Sequence, residues 1–153
     1  MRLALFQPDI PQNLGAALRL TACLGVGLDV IEPCGFPLSD KSLKRAAMDY
    51  EAVAAMKRHD SWRAFLEAGE RGDGRLILFT TRAAEPFTRF SFLLGDTLLM
   101  GRESAGAPDD VHAAADARLF IPISSATRSL NVVTAAAMAL GEALRQTNGF
   151  PNI

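Results

Sequence analysis

Short apolar runs, each only four or five residues long, recur along the chain at Leu3–Phe6, Leu28–Ile31, Leu76–Phe79, Thr97–Met100 and Leu119–Ile123. Each is bounded by Gly, Pro or polar turn residues. None alternates apolar with polar, as a strand with one wet face would. Such runs suit strands buried on both faces of a parallel sheet. Between them lie helical patterns. Asn13 to Leu24 places Leu14, Ala17, Leu18 and Thr21 on one face, with Gly25 as the stop. Ser61 to Ala68 reads as a short helix capped by Ser61, and Asp109 to Ala115 follows Pro108. Leu130 to Gln146 sets Val133, Ala137, Leu140 and Leu144 on one face before Asn148-Gly149. The alternation predicts an α/β fold: one domain over 1–153, a parallel sheet with helices on both faces.

Composition excludes several classes. Hydrophobic residues make up 49% and charged residues 22%, as in ordinary globular proteins. No apolar run approaches the ~18 residues that a membrane helix needs, and Leu3–Phe6 is too short for a signal-peptide core. Cys23, in a helical apolar pattern, and Cys34, in a Pro-Cys-Gly turn, have no metal-ligand spacing. Reduced thiols and a cytoplasmic protein are expected. His59 and His112 read as surface or helix-face residues without zinc partners. A net charge of −1 argues against strong non-specific attraction to nucleic acid. Lys41, Lys44, Arg45, Lys57 and Arg58 cluster, diluted by Asp40, Asp49, Glu51 and Asp60, and read either as a solvated helical face or as candidate phosphate contacts. Glu70–Gly74 reads as a surface loop.

Familiar catalytic signatures are missing. Gly25-Val26-Gly27 precedes a strand and lacks a third glycine, so it is no dinucleotide fingerprint. There is no phosphate loop and no nucleophile elbow. The informative residues sit in three strand–turn segments: Pro11-Gln12-Asn13-Leu14-Gly15 with Arg19, Gly101-Arg102-Glu103-Ser104-Ala105-Gly106, and Ser124 to Leu130 leading into Asn131-Val132-Val133. Turns at the carboxyl edge of a parallel sheet are where α/β proteins hold ligands. Three of them in one small domain suggest one composite site.

Taken in order with Met100, Ala107-Pro108 and Ile121-Pro122-Ile123, these segments resemble the SPOUT RNA methyltransferases over nearly the whole chain. Ile31 to Phe36, Arg45 to Tyr50 and Thr80-Thr81 look like the minimal subfamily that methylates the wobble cytidine or uridine of tRNA on its ribose 2′-oxygen. The resemblance implies a C-terminal deep trefoil knot, against the general rule of unknotted topology. It also implies a homodimer with the site near the subunit interface, S-adenosylmethionine as methyl donor, S-adenosylhomocysteine as product, no metal, and the tRNA anticodon stem-loop as partner.

Residue by residue, the resemblance assigns Phe79, Gly101, Ile121, Ser129 and Leu130 to the cofactor, largely through main chain, and Arg19, Asn13 and Asn131 to catalysis. Bland readings stand beside these. Gly101 would also shape a turn, Ile121 would also fill core, and either Ser129 or Asn131 would cap the last helix. Arg19 would position the ribose hydroxyl or stabilise its developing negative charge, since an always-charged guanidinium is a poor base. Two departures from the family are Ala107, where Leu is common, which reduces apolar contact in that loop, and Glu142, where an aromatic is often seen, with a consequence expected in dimer packing. A ribosomal RNA target, or an RNA-binding module without catalysis, are the competing readings.

Overall fold

The computed structural model describes residues 1–39, 41, 56–69 and 72–152. In chain order the elements are β1 (Arg2–Phe6), α1 (Pro11–Leu24), β2 (Gly27–Ile31), β3 (Met56–His59), α2 (Trp62–Glu67), β4 (Leu76–Phe79), β5 (Glu85–Pro86), β6 (Thr97–Met100), α3 (Asp109–Ala114), β7 (Ala117–Phe120) and α4 (Val132–Thr147). Among the described residues the strands form one sheet, ordered β3-β2-β1-β6-β4-β7-β5, and every pairing is parallel. Asp40, Lys44, Asp49, Glu51 and the Arg45–Tyr50 motif lie outside the described residues, as do the first two positions of the Glu70–Gly74 loop.

The period of two along each strand divides the core. Leu3, Leu5, Leu28, Val30, Ile77, Leu98 and Met100 face α1 and α4, meeting Leu14, Ala17 and Leu18 from one and Ala136, Leu140 and Leu144 from the other. Ala4, Phe6, Ile31, Leu78 and Leu99 face the opposite way, onto Phe65 of α2 and Val111 and Ala115 of α3 and its exit. Helices therefore cover both faces, as the apolar runs predicted. Pro11 opens α1, where its missing N–H costs nothing. Gly25 closes it at φ +65, its N–H on Ala22 and that of Val26 on Thr21, the left-handed stop expected of a glycine there.

Three expectations need correction. Lys57 and Arg58 are not on a helical face but on β3, an edge strand whose charged sequence carries no apolar signal. The last long strand ends at Phe120 rather than Ile123, because its final pairing, with Pro86, is made there. The last helix begins at Val132, not Leu130, and of the two candidate caps it takes Asn131, whose Oδ1 accepts from the N–H groups of Val133 and Thr134 at 2.9 and 3.2 Å. Cys23, although helical, points outward and is exposed.

His59 corrects a fourth. It is buried, 6% exposed, with Nε2 2.7 Å from Oδ1 of fully buried Asp29. The other Asp29 oxygen accepts from Arg2 Nε at 2.5 Å. Arg2, Asp29 and His59 come from three adjacent strands and lie beneath α2, with the imidazole edge-on to Phe65. A buried carboxylate needs such partners, and losing it leaves two cationic or polar groups uncompensated. Asp29→Ala is therefore expected to lower the unfolding free energy by about 3 kcal/mol in urea denaturation. A loss below about 1 kcal/mol would show that the cluster contributes little beyond solvated ion pairs.

Candidate active site

All the strands point the same way, so their carboxyl ends share one edge of the sheet. A cavity of about 820 Å³ opens at that edge, within the range of small-ligand sites. Its walls are the segment after β4 (Phe79–Arg82), the loop after β6 (Met100–Glu103 and Ala105–Ala107), the loop after β7 (Phe120–Ser125 and Thr127–Asn131), and Asn13 from the first turn of α1. The three separated turns picked out from the sequence do converge. Phe79, Gly101, Ile121, Ser129, Leu130, Asn13 and Asn131 all line the cavity.

Arg19 does not. It is exposed on α1 and is not among the cavity's lining residues. Six residues at about 100° each put Asn13 and Arg19 roughly 120° apart around the helix. Asn13 is turned inward and 8% exposed, so Arg19 faces elsewhere.

Gly101 and Ile121 are the first residues past the paired ladder, whose last members on those strands are Met100 and Phe120. Their peptide groups leave the sheet where the ligand space begins. A side chain at Gly101 would put its Cβ 2.7 Å from the Gly106 carbonyl carbon and 2.9 Å from the Ala107 nitrogen. The loop folds back on itself through mutual hydrogen bonds between the Arg102 and Gly106 main chains, 2.9 and 2.8 Å, with Gly106 at φ +66. Gly101 thus lets this hairpin-like turn close.

A hydrogen-bond chain fixes the polar floor. Asn13 donates Nδ2 to Glu103 Oε1 at 3.1 Å and accepts at Oδ1 from Asn131 Nδ2 at 3.0 Å. The other Glu103 oxygen accepts from the Asp9 N–H at 2.9 Å, and the Asp9 carboxylate accepts from the Ser104 hydroxyl. Both amides have defined orientations, because Asn131 Oδ1 is already taken by the start of α4. Asn131 thus both caps α4 and lines the cavity.

Glu103 was not assigned from the sequence; an acid next to Arg102 invites a local ion pair, and only the fold shows it reaching Asn13. The wall also includes His112, which sequence reading left on the surface. Burial first, then the charge of Arg82, holds its imidazole below the ordinary range, and its Nε2 is buried without a hydrogen-bond partner among the described residues. Cys34 stays apart from the cavity, its thiol pushed up to about 11 by burial and then by Glu32, which leaves it protonated and unreactive. Among the described residues no cluster of His, Cys, Asp and Glu is arranged to hold a metal, and no helix is long and apolar enough to cross a membrane.

The fold and this cavity define an α/β protein that binds a small ligand at the carboxyl edge of its sheet. Comparison with known proteins makes that specific: the SpoU rRNA Methylase family matches residues 1–141, and the chain belongs to that family. A tRNA (cytidine(34)-2′-O)-methyltransferase from Beijerinckia indica is 55% identical over 151 residues, covering 99% of this chain and 94% of that protein. A solved structure described as giving insights into 2-OH methylation of C/U34 on tRNA is 44% identical, covers 97% of this chain and 96% of its own, and superposes with a TM-score of 0.88. The SpoU methyltransferase AviRb from Streptomyces viridochromogenes, solved with AdoMet (S-adenosylmethionine), is 26% identical at a TM-score of 0.81, covering 95% of this chain and 60% of that one.

The double duty of Asn131 is separable. Asn131→Ala is expected to cost about 1–2 kcal/mol of stability through the lost cap, and Asn131→Ser to recover most of it, since Ser caps well but cannot reach Asn13 as an amide does. Equal losses in urea denaturation would mean that the cap is not what the residue contributes to stability.

Proposed function

We propose that this protein is an S-adenosylmethionine-dependent tRNA methyltransferase that modifies the ribose 2′-oxygen of the wobble nucleotide, cytidine or uridine 34. The observation that carries the reading is the convergence of Phe79, Gly101, Ile121, Ser129, Leu130, Asn13 and Asn131 on one cavity, in a chain 55% identical to an enzyme of that name.

The residues present suit such a ligand. Gly101 and Ile121 stand at strand ends where main-chain groups can pair with an adenine edge, and Phe79, Ile121, Leu130 and Val132 offer apolar wall beside the hydroxyls of Thr80 and Ser129. The cofactor supplies an electrophilic methyl group. The protein's part is orientation and electrostatics. The ribose 2′-oxygen gains a methyl and gives up its proton, so groups that favour developing negative charge on that oxygen accelerate the reaction. Asn13 and Asn131 form a rigid amide pair on the cavity floor, held by Glu103 on one side and the start of α4 on the other. In our reading this pair positions the acceptor ribose.

Arg19 completes the site across a homodimer. Its place on the outer face of α1 suits a guanidinium that serves the cavity of a second copy. Exposed apolar Ile123 and Leu130 on the loop after β7, and Met138 on α4, supply surface that a second copy would cover. The anticodon stem-loop is the RNA partner, since its unstacked nucleotides leave the ribose accessible. Exposed Lys41 and the charged β3 edge are candidate flanking phosphate contacts, although Arg58 is already committed to Glu32 through two hydrogen bonds of 3.1 and 3.0 Å. Lys44 and Arg45 lie outside the described residues. The knotted passage of the C-terminal segment belongs to the same proposal, as do the single domain over 1–153 and action in the cytoplasm.

Incubation with labelled cofactor and total RNA, followed by mapping of the methylated nucleotide, should find the label on ribose 34 of tRNA; label confined to ribosomal RNA would overturn the substrate. Gly101→Ala should weaken S-adenosylhomocysteine binding at least about tenfold, because a displaced loop misplaces main-chain donors. Arg19→Ala should leave that affinity intact and lower turnover at least about a hundredfold. Mixing the two variants tests where Arg19 acts. Recovery of turnover in mixed dimers is expected, and none would place Arg19 outside the partner's site.

A further inference from the structure

Among the described residues three arginines line the cavity, and they are engaged differently. Arg82 donates to Asp109 at 2.9 Å, and Arg128 sits exposed on the loop after β7. Arg102 is two-thirds covered, its side chain 34% exposed, yet poorly satisfied. Its Nη1 reaches Gln7 Oε1 only at 3.4 Å, the long limit of a hydrogen bond. Its Nε lies 3.7 Å from Asp9 Oδ2, an oxygen already taken by the Ser104 hydroxyl. Among the described residues, Arg102 Nε and Asp9 Oδ1 are both buried without a hydrogen-bond partner. Buried polar atoms are seldom left so, and two in one corner call for an explanation. Gln7 adds a third irregularity, at φ +46 without being glycine.

The direction of this corner matters. The segments assigned to the cofactor follow β6, β4 and β7, which are adjacent in the sheet. The partners of Arg102, Gln7 and Asp9, follow β1, which pairs with β6 on the side away from β4. Arg102 therefore leans out of the cofactor region toward the first turn of α1, next to Glu103 and the amide pair. An anion there belongs to the second substrate. A guanidinium fork matches two phosphate oxygens.

We infer that Arg102 is an RNA-binding residue, its guanidinium holding the phosphodiester of the nucleotide whose ribose is methylated, with Asp9 and Gln7 setting the fork's direction. This rests on the methyltransferase reading above and adds a specific substrate contact to it. The incoming phosphate supplies the acceptors that the guanidinium lacks, and it brings the ribose over the Asn13–Asn131 pair. Arg102 is a binding and positioning group, so its loss should act on KM rather than kcat.

The test uses Arg102→Ala, Arg102→Gln and Arg102→Lys, with Arg63→Ala as a remote charge control, since Arg63 is 85% exposed and pairs with Glu67 four residues on. Affinity for an unmodified anticodon stem-loop is measured from low to high salt, with S-adenosylhomocysteine bound. Arg102→Ala and Arg102→Gln should each weaken binding about tenfold and reduce the slope of log affinity against log salt by about 0.7, one single-strand phosphate. Arg102→Lys should keep the slope and part of the affinity, and Arg63→Ala should change neither. KM for the stem-loop should rise with kcat nearly constant.

An unchanged slope in Arg102→Gln, which retains a donor for Gln7 and guards against misfolding of the alanine variant, overturns the inference. So does a fall in kcat at constant KM, or a loss of S-adenosylhomocysteine affinity, which would place the guanidinium on the cofactor. Failure of the unmodified protein to bind S-adenosylhomocysteine at all would overturn the underlying reading instead.

Discussion

The hydrogen bond from Asn131 to Asn13 joins positions 118 residues apart, and the site depends on it. One end is the first turn of α1, reached directly from β1. The other is the cap of α4, reached only after the chain has laid down the rest of the sheet. Because Asn131 spends its carbonyl oxygen on the start of α4, its amide nitrogen must point at Asn13. Because Asn13 accepts there, its own nitrogen must turn to Glu103. Three segments brought together by the parallel sheet are held in mutual orientation by these side-chain hydrogen bonds. Groups held in this way have little conformational entropy left to lose when a ligand binds against them.

The sheet makes this possible by ending its strands together. Met100, Phe79 and Leu119 are successive partners across β6, β4 and β7. The segments that follow are therefore released from the ladder at nearly one level, about 5 Å apart across the sheet. A cavity forms where backbone groups stop pairing with neighbours and become available to a ligand. Gly101 is needed at that level because the loop after β6 must turn back sharply, passing within 3 Å of where a side chain would begin.

Much of this was legible in the amino-acid sequence, and the misses have physical causes. Short, largely apolar runs of strand length carry a clear signal when both faces are covered, so β1, β4 and β6 stood out, and β2 did so despite its buried Asp29. Met56–His59 could not be found that way. As an edge strand it needs only Met56 and His59 turned inward, and His59 is acceptable there because Asp29 waits beneath it. That partnership spans 30 positions and has no local signature. Ile121–Ile123 looked like strand because it is apolar, but that apolarity serves the cavity and the exposed loop rather than the ladder. The small-residue helix after Asn131 was evident, whereas its cap was ambiguous because Ser129 and Asn131 both qualify chemically. Order and chemistry of the three turns foretold a composite site. The placement of Arg19 on the far side of α1 was latent in its spacing from Asn13, which local motif matching ignores.

A net charge of −1 poses a problem for any protein that must hold a polyanion. The ion pairs among the described residues sharpen it. Arg63 is paired with Glu67, Arg75 with Asp96, Arg82 with Asp109, Arg145 with Glu142, and Arg58 with Glu32. Paired cations add little to a long-range field, so attraction to RNA here is short-range and depends on where an incompletely satisfied cation meets a phosphate. A weak general field suits an enzyme that must choose one nucleotide: it does not hold wrong RNA tightly, and discrimination rests on contacts made only when the acceptor ribose is seated. On that logic the most informative charge is not the most exposed one. It is the guanidinium beside Glu103, buried enough to be costly and paired too loosely to be structural alone.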